Sequence, residues 1–510
     1  MTPPPDEPDS TAGSTPEVRP LRRDLRLVPQ QDGSALLVGE ERTRRVRLDS
    51  RGRDLAALLD RTQTLDQLNL RLEQATGRAM EPGALRRTLE AFDRLDLLET
   101  SDGQEGLPDE TEWDRLPIRI DPRSRFTCSA CGSCCQGVNV PFDRNALERL
   151  TPDRLEILQR ELHFRNAPVL ILDADEGNEV LPVCRNRFGA CLFLEDRLCG
   201  LHRRFGPEAK PLVCRMFPFD FVVAPDGITV SLQMECRDPR AVIQGEPLAA
   251  QEEEVRSLLR LAGPRALERD RATLDGATVV SFEEYLDLER EVLEAIDRTR
   301  GSGFDLWAAG GRVLVDRWRL PDPPGVPATP EDAARDLRSL LDDLARRMRA
   351  LRSSVRQEGA SLRVESRHLD GVQEAVASLP RHGPQVFAAE EDEEALAMAR
   401  AWVRNWWWGR TPLRTGDILT AQGLGVLQWL LTRALAVHAA RLAERRFLTV
   451  QDLVDAWTRV HFFLRNRRVR DAMRPLRPAI VSLLVFGLDT LRQSASLLPG
   501  EDPGTDFFLL

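Results

Sequence analysis

The sequence places all nine of its cysteines in one segment, between Cys128 and Cys236, although the chain is 510 residues long. Four of them stand within the stretch CSACGSCC, residues 128–135. Cysteines used only as small apolar side chains would be scattered along the chain, so their clustering predicts a shared chemical purpose. Thiolates bind soft metals and iron–sulfur clusters, and they become nucleophiles where an electropositive setting lowers their pKa.

The spacing Cys128-x2-Cys131-x2-Cys134 favours a metal centre. Two residues between ligands let the backbone curl around a bound ion, and Gly132 supplies the conformational freedom that such a tight loop needs. Three cysteines at this double spacing are typical of the first part of a bacterial ferredoxin loop, whose remaining ligand follows later in the chain. Zinc ribbons more often have two separated C-x2-C pairs. The pattern therefore favours an iron–sulfur cluster, most simply 4Fe–4S, and leaves zinc open.

The remaining cysteines extend the candidate ligand set beyond the needs of one centre. Side chains of adjacent residues tend to diverge, so Cys135 is predicted to face a second centre or to act as a reactive thiol beside Cys134. Nine thiols exceed the four that one tetrahedral zinc or one cubane cluster takes, so the count leaves room for two centres. The candidate metal ligands are Cys128, Cys131, Cys134, Cys135, Cys184, Cys191, Cys199, Cys214 and Cys236.

Aromatic and basic residues accompany the later cysteines. Phenylalanines alternate with them, and an apolar shell controls solvent access to a cluster. His202 is a candidate ligand or hydrogen-bond donor, although a single histidine is more often neither. The basic residues would lower thiol pKa values or orient a carboxylate or phosphate. The phenylalanines are Phe188, Phe193, Phe217 and Phe219, and the basic residues are Arg203, Arg204, Lys210 and Arg215.

Composition limits the classes of partner. The formal net charge is −10, which argues against general nucleic-acid binding because that function needs a basic surface. No apolar run reaches the roughly 20 residues of a membrane span. The N-terminus is acidic, rich in Pro, Ser and Thr, and lacks the apolar stretch of a signal peptide. These features predict a disordered tail on a cytoplasmic protein, where reducing conditions disfavour disulfides.

Changes in composition and periodicity divide the chain into several parts. The fold class is predicted to be α+β multidomain, with a small winged-helix domain, an irregular cysteine-rich metal-binding domain and a mainly α-helical C-terminal region. The predicted parts are a disordered tail over 1–20, the winged-helix domain over 21–100, a linker over 101–117, the metal-binding domain over 118–245, the helical region over 246–495 with a Pro-rich linker at 321–330, and a tail over 496–510.

Local signals support these boundaries. Two extended runs flank an Asp32-Gly33 turn, which is a short hairpin signal. The pattern T-L-D-Q from Thr64 predicts a helix cap, and so does Thr329-Pro330-Glu331-Asp332, which also has proline at the first helical position. Leucines at helical spacing after residue 336 mark one buried face of the helix that follows.

Residues 21–100 resemble the PqqD-like winged-helix domain, a peptide-recognition module of pathways that modify peptides and proteins. The resemblance lies in the "DG" hairpin, the "LL…TLDQL" helix pair and a last helix closing on "LLET". It implies that an extended peptide adds to an exposed strand edge. A DNA-binding winged helix is the rival interpretation, but basic and acidic residues are nearly balanced here, which disfavours DNA.

Three motifs resemble the YkgJ-type cysteine-cluster family, which is described as zinc- or iron-chelating. They are "CSACGSCC", "CLFLEDRLCGLH" and "GPEAKPLVCRMFPF", and the resemblance covers residues 121–240. One branch with the same cysteine arrangement is flagellin lysine-N-methylase, an S-adenosylmethionine-dependent protein modifier, whereas "GLHRRFGPEAKP" and "CRMFPF" lie closer to the general family. The resemblance implies that Cys128, Cys131, Cys134, Cys135, Cys191, Cys199 and Cys214 are metal ligands or close neighbours.

These observations lead to two expectations of function. The first is metal-dependent modification of a peptide or protein, such as lysine N-methylation, with an iron–sulfur cluster or zinc and S-adenosylmethionine as cofactors. The second is a non-enzymatic metal or cluster carrier, sensor or electron-transfer protein. The expected partner is a peptide or protein held by the N-terminal domain, without nucleic acid or membrane. No Rossmann fingerprint or P-loop is present, so catalytic and cofactor-binding residues stay unassigned.

Overall fold

The computed structural model divides the chain into two compact units, Met1–Gly106 and Leu107–Leu510. The finer domain boundaries drawn from the sequence stay predictions. The structure describes residues 17–18, 20–21, 25–30, 34–39, 45–60, 63–94, 97–98, 116–136, 140, 142–163, 169–173, 180–184, 186–187, 190–262, 265–266, 272–357, 386–387, 389–445, 447–465 and 467–497.

The first unit contains a three-stranded antiparallel sheet in which consecutive strands pair, followed by three helices around one apolar core. A separate two-residue strand pair joins the start of the unit to the residues just before the second helix. Its elements are β1 (Glu17–Val18), β2 (Leu25–Pro29), β3 (Ala35–Gly39), β4 (Arg45–Leu48), α1 (Ser50–Ala56), β5 (Gln63–Thr64), α2 (Leu65–Thr76) and α3 (Pro82–Arg94).

The predicted local signals of the first unit are largely confirmed. The Thr64 hydroxyl accepts from the Gln67 backbone N–H, and the Gln67 side chain accepts from the Thr64 N–H, which is the predicted capping box. The Asp32-Gly33 turn lies outside the described residues. Glu17–Val18, inside the predicted tail, instead form a strand, and Val18 is buried. The winged-helix assignment stays a prediction.

The cysteine-rich half of the second unit consists of short elements. Small hairpins carry several of the cysteines, and a longer hairpin with a Pro-Asp-Gly turn precedes the last one. Its elements are β6 (Ile118–Ile120), a 3₁₀ turn (Ser133–Cys135), α4 (Arg144–Arg149), α5 (Pro152–Glu161), β7 (Val169–Asp173), β8 (Val180–Cys184), β9 (Asn186–Arg187), β10 (Ala190–Cys191), β11 (Leu194–Glu195), β12 (Leu198–Cys199), α6 (Gly200–Phe205), a 3₁₀ turn (Pro207–Ala209), α7 (Leu212–Met216), β13 (Phe219–Ala224), β14 (Gly227–Leu232) and α8 (Pro239–Ile243).

The remainder of the second unit is mainly helical. It includes a π-helical stretch and two 3₁₀ turns near its end. Its elements are a 3₁₀ turn (Leu248–Gln251), α9 (Glu252–Ala262), β15 (Arg265–Ala266), β16 (Ala272–Thr273), β17 (Val279–Val280), α10 (Phe282–Arg298), α11 (Gly303–Trp318), α12 (Pro330–Gln357), α13 (Glu393–Trp408), α14 (Thr411–Thr415), α15 (Ile418–Leu442), α16 (Val450–Arg465), α17 (Arg467–Met473), a 3₁₀ turn (Arg474–Leu476), α18 (Arg477–Val481), a π-helix (Ser482–Phe486), α19 (Leu488–Gln493) and a 3₁₀ turn (Ser494–Leu497).

Two predictions about this helical half are confirmed. Helix α12 begins at Pro330, and the Asp332 backbone N–H donates to the Thr329 hydroxyl, as the capping pattern indicated. The leucine face of the same helix is buried in the large core. The run Trp406–Trp408 packs into that core as well, and the Trp408 indole N–H donates to the Val230 carbonyl, so this run serves packing.

The largest core joins the β13–β14 hairpin to the C-terminal helices. The hairpin lies at the centre of a sheet ordered β15–β13–β14–β6, in which β6 and β15 are parallel to their neighbours. Asn405 on α13 fixes its end, because its side chain accepts from the Leu232 N–H and donates to the Leu232 carbonyl, both at 2.8 Å. The residues that lead into the last cysteine are thus anchored to the helical half.

The predicted fold class is confirmed at the coarse level, since the chain mixes helix and sheet and is mainly helical toward its C-terminus. In the described part of the chain, none of the helices combines the length and apolar character that a bilayer crossing requires.

Candidate metal centre

The loop that holds the first cysteines packs tightly on a neighbouring turn. Gly132 has φ +74°, in the left-handed region, and a Cβ there would lie 2.9 Å from both the Cα and the carbonyl oxygen of Arg197. Asp196 and Arg197 form the tight turn between β11 and β12, with φ of 46° and 68°. The glycine predicted for loop freedom is therefore also needed for a close backbone approach.

A second contact brings the loop to the next cysteine hairpin. Gln136, which follows Cys135, forms an antiparallel bridge with Ala190, which precedes Cys191. The β11–β12 hairpin then places Cys199 opposite Leu194. Backbone contacts at Ala190 and at Arg197 thus hold this later segment against the Cys128–Cys135 loop.

Three of the later thiols share one small apolar core, distinct from the large one. Cys191, Cys199 and Cys214 are half-buried and pack against it. Helix α6 begins directly after Cys199, and the backbone N–H groups of Leu201 and His202 partly offset the burial that raises the pKa of this thiol. The buried members of this core are Val140, Phe142, Ala146, Leu158, Leu192, Phe193, Leu201 and Ala209.

The neighbouring cysteines of the loop interact directly with each other. The Cys135 thiol donates a hydrogen bond to the Cys134 sulfur, which lowers the pKa of Cys134 to about 6, with a further contribution from the Lys210 charge. The same hydrogen bond and burial raise the pKa of Cys135 far above its ordinary value. Although adjacent side chains were expected to diverge, those of Cys134 and Cys135 influence each other across the 3₁₀ turn Ser133–Cys135, and a second centre or a reactive thiol at Cys135 stays a prediction.

The thiols of the cysteine segment influence one another's pKa values. Burial raises the pKa of Cys214 to about 12, while Lys210 lowers it and thiolates at Cys191, Cys199 and Cys134 would raise it further. Burial also raises the pKa of Cys199, with Cys191 and Lys210 acting in opposite directions. We refer to Cys134, Cys135, Cys191, Cys199 and Cys214 as the thiol cluster.

Other candidate cysteines lie differently. Cys128 is exposed, and Cys131 is half-buried. Cys236 is buried in the large core, yet Cys131 and Cys134 are close enough to influence its pKa, which burial raises to about 12. Cys184 ends strand β8, and its side chain is not among the described ones.

The basic residues beside the cluster are mostly engaged with carboxylates. Arg204 bonds to Glu161 and Glu195, and these two partners raise the pKa of the guanidinium. Arg203 also pairs with Glu195, and Arg215 with Glu208. Of the predicted cations, Lys210 is the one that acts on the thiols of Cys134, Cys199 and Cys214. The His202 side chain is exposed, and its contribution to Cys199 comes from the backbone N–H.

The chemistry of the donor set fits zinc or iron, because these metals bind cysteine thiolates. The described cysteines carry free thiols, including all members of the cluster. Among the described residues, no three Cys, His, Asp or Glu side chains are arranged to hold one metal ion. Protonated thiols do not draw together as metal-bound thiolates do, so metal binding would couple to deprotonation and closure of the loop.

Residues 127–237 match the family model CxxCxxCC, described as "Putative zinc- or iron-chelating domain". This segment contains every cysteine of the chain. It supports metal binding by zinc or iron. Comparison with curated proteins and with solved structures gives no match for the chain.

Sequence reasoning missed two features of this site. One is the contact between Gly132 and the Arg197 backbone, for which the glycine within the cysteine loop was the only sequence signal. The other is the partition of the thiols between two cores, with Cys236 in the larger and Cys191, Cys199 and Cys214 beside the smaller. Nothing in the cysteine spacing distinguishes these two environments.

Proposed function

We propose that this chain uses its thiol cluster to bind an iron–sulfur cluster or zinc and that it modifies a peptide or protein substrate. The observation that carries the proposal is that backbone contacts hold the Cys134–Cys135 turn against the later cysteine segment, whose Cys191, Cys199 and Cys214 pack against one small core. Clustered cysteines in a reducing compartment are more typical of a metal or catalytic site than of a disulfide framework.

The roles of the protein groups follow from their surroundings. Cys134 supplies a thiolate near neutral pH, and Cys199, Cys191 and Cys214 supply sulfurs from the wall formed by the small core. Lys210 offsets part of the negative charge that metal thiolates carry. A bound iron–sulfur cluster would supply electron transfer, and a bound zinc would supply a Lewis acid.

The N-terminal unit is proposed to capture the substrate as an added strand. In its described residues the sheet order leaves β2 and β4 at the two edges, and an edge strand presents unpaired backbone groups to an extended peptide. The reaction implied by the resemblance is methyl transfer from the sulfonium of S-adenosylmethionine to a lysine amine, which leaves S-adenosylhomocysteine and a proton. This protein would act in the cytoplasm.

A non-enzymatic metal carrier or sensor is the second candidate. The exposure of Cys128 and Cys134 favours it, because a carrier must pass its metal to a partner through accessible ligands. The two candidates differ in whether a modified substrate forms.

The test is anaerobic purification of the full chain, followed by metal and inorganic sulfide analysis and paramagnetic resonance. Iron with stoichiometric sulfide is expected, and zinc without sulfide would remove the iron–sulfur assignment. Cys191→Ser and Cys214→Ser are expected to lose the metal, whereas Cys128→Ser, at an exposed position, is expected to retain more of it. A chain that carries neither metal, or that retains it in all three variants, would contradict the proposal.

Substrate modification needs its own experiment. The chain would be incubated with S-adenosylmethionine and lysine-containing peptides, and a mass gain of one methyl group on lysine is expected. Metal binding without any modified peptide would favour the carrier.

A further inference from the structure

Cys236 is held by a different part of the molecule from the other thiols. It is 8% exposed and belongs to the large core shared by the β13–β14 hairpin and the C-terminal helices. Its thiol donates to the Asp238 carbonyl at 3.7 Å, and it lies within electrostatic reach of Cys131 and Cys134. Its position therefore links the Cys128–Cys135 loop to the helical region.

Helix α16 contacts the chain on both sides of Cys236. Before it, the Glu235 carboxylate lies 3.4 Å from Nε2 of His461. After it, the Arg237 carbonyl accepts a hydrogen bond of 3.4 Å from the Gln451 side chain. His461 and Gln451 both belong to α16 (Val450–Arg465), so one helix spans the cysteine.

The His461 ring is itself fixed from two further directions. Gln428 on α15 lies 3.0 Å from Nδ1, and an amide N–H donated to Nδ1 leaves the ring proton on Nε2, facing Glu235. The ring also stacks on Trp457, with centroids 5.9 Å apart and 12° between planes. Trp457 in turn stacks on Trp402 at 4.3 Å and 7°. The half-buried ring that meets Glu235 is thus the outer member of a stack whose two tryptophans are buried.

We propose that helix α16 positions Cys236 for the metal centre, with His461 as the positioning residue that acts through Glu235. The helical region then has a role in the chemistry of the cysteine segment, because its packing sets where one of the sulfurs lies. This inference rests on the proposed metal function, because Cys236 would be positioned for a metal. The positioning itself can be measured in the metal-free chain.

The test measures thiol alkylation in the full-length, metal-free protein under reducing conditions. Iodoacetamide labelling is followed by mass spectrometry, and the rate at Cys236 is divided by the rate at Cys214, which lies by the other core. In His461→Ala the ratio is expected to rise by at least about tenfold, since Glu235 loses an interaction of the strength of a charged hydrogen bond. His461→Gln keeps an N–H donor and is expected to stay near the wild-type ratio.

His202→Ala provides the matched control, because His202 is an exposed histidine within the cysteine segment. It is expected to leave the ratio unchanged. An unchanged ratio in His461→Ala would overturn the proposal, as would a uniform rise at Cys236 and Cys214 together with a lower melting temperature. That second result would show that the histidine only stabilises the fold.

Co²⁺ titration of the same variants separates this inference from the proposed function. A tenfold or greater loss of Co²⁺ affinity in His461→Ala and its rescue in His461→Gln are expected. If the wild-type chain bound no Co²⁺, Zn²⁺ or iron, the metal function would fail, whereas the labelling ratio would still decide whether α16 positions Cys236.

Discussion

Replacement of Gly132 by alanine tests whether the first cysteine loop must close on the Asp196–Arg197 turn. The new Cβ would lie 2.9 Å from the Arg197 Cα, 2.9 Å from its carbonyl oxygen and 3.1 Å from its carbonyl carbon. These are backbone atoms, which cannot rotate away as the end of a side chain could. The loop and the turn would have to separate.

The magnitude follows from two contributions. An alanine in the left-handed conformation is less favourable than glycine by about 1–2 kcal/mol. Overpacking against a close neighbour adds about 1–3 kcal/mol. Together they oppose closure of the loop by at least about 2 kcal/mol, which corresponds to a loss of metal affinity of at least about 30-fold.

Competition with a chromophoric chelator for Zn²⁺ or Co²⁺ measures this affinity. Gly77→Ala is the control, since Gly77 has φ +75° but nothing within 4 Å of the added Cβ, and it lies in the N-terminal unit. Gly132→Asn separates the two contributions, because asparagine tolerates the left-handed conformation but still carries a Cβ. It is expected to bind metal nearly as weakly as Gly132→Ala.

Wild-type affinity in Gly132→Ala would refute this reasoning. Full recovery in Gly132→Asn would refute the part that depends on the contact with Arg197, since only the backbone conformation would then matter.

Two further predictions concern buried charges of the second unit. Burial raises the pKa of Glu289 from 4.5 to about 7 against the opposing charges of Arg410 and Arg119. Its contribution to the free energy of unfolding should therefore fall by about 3 kcal/mol as pH rises from 4.5 to 7. Denaturation series at several pH values should show a weaker pH dependence of this free energy in Glu289→Gln, and a dependence equal to that of the wild type would contradict the prediction. Arg404 is 8% exposed and binds Asp121 through hydrogen bonds of 2.8 and 3.1 Å. Arg404→Met should therefore lower the free energy of unfolding by about 3–5 kcal/mol, with partial recovery when Asp121→Asn is added, and a loss below about 1 kcal/mol would show that the pair is unimportant.

The sequence by itself determined the features that depend on neighbours a few residues apart. The helix caps at Thr64 and Thr329 form between residues three positions apart, so the amino-acid sequence alone identifies them. The strands β2 and β3 and the buried leucine face of α12 follow in the same way from short-range periodicity. The metal-binding segment was also predictable, since clustering of cysteines is a property of composition along the chain.

The tertiary structure alone decided how the cysteines are placed. Spacing did not predict that Cys134 and Cys135 share a hydrogen bond, or that Arg203, Arg204 and Arg215 bind carboxylates. These contacts depend on side-chain direction and on partners brought together by packing.

The same limit applies to the helical region, whose contact with the cysteine segment joins residues far apart in sequence. Glu235 and His461 are separated by more than 200 positions and meet because hairpin β13–β14 and helix α16 pack into one core. A local sequence pattern does not predict such a pairing, because the free energy that selects it comes from apolar burial summed over many distant residues. The sequence therefore indicates a metal-binding segment, and the packing of the core determines where its sulfur atoms lie.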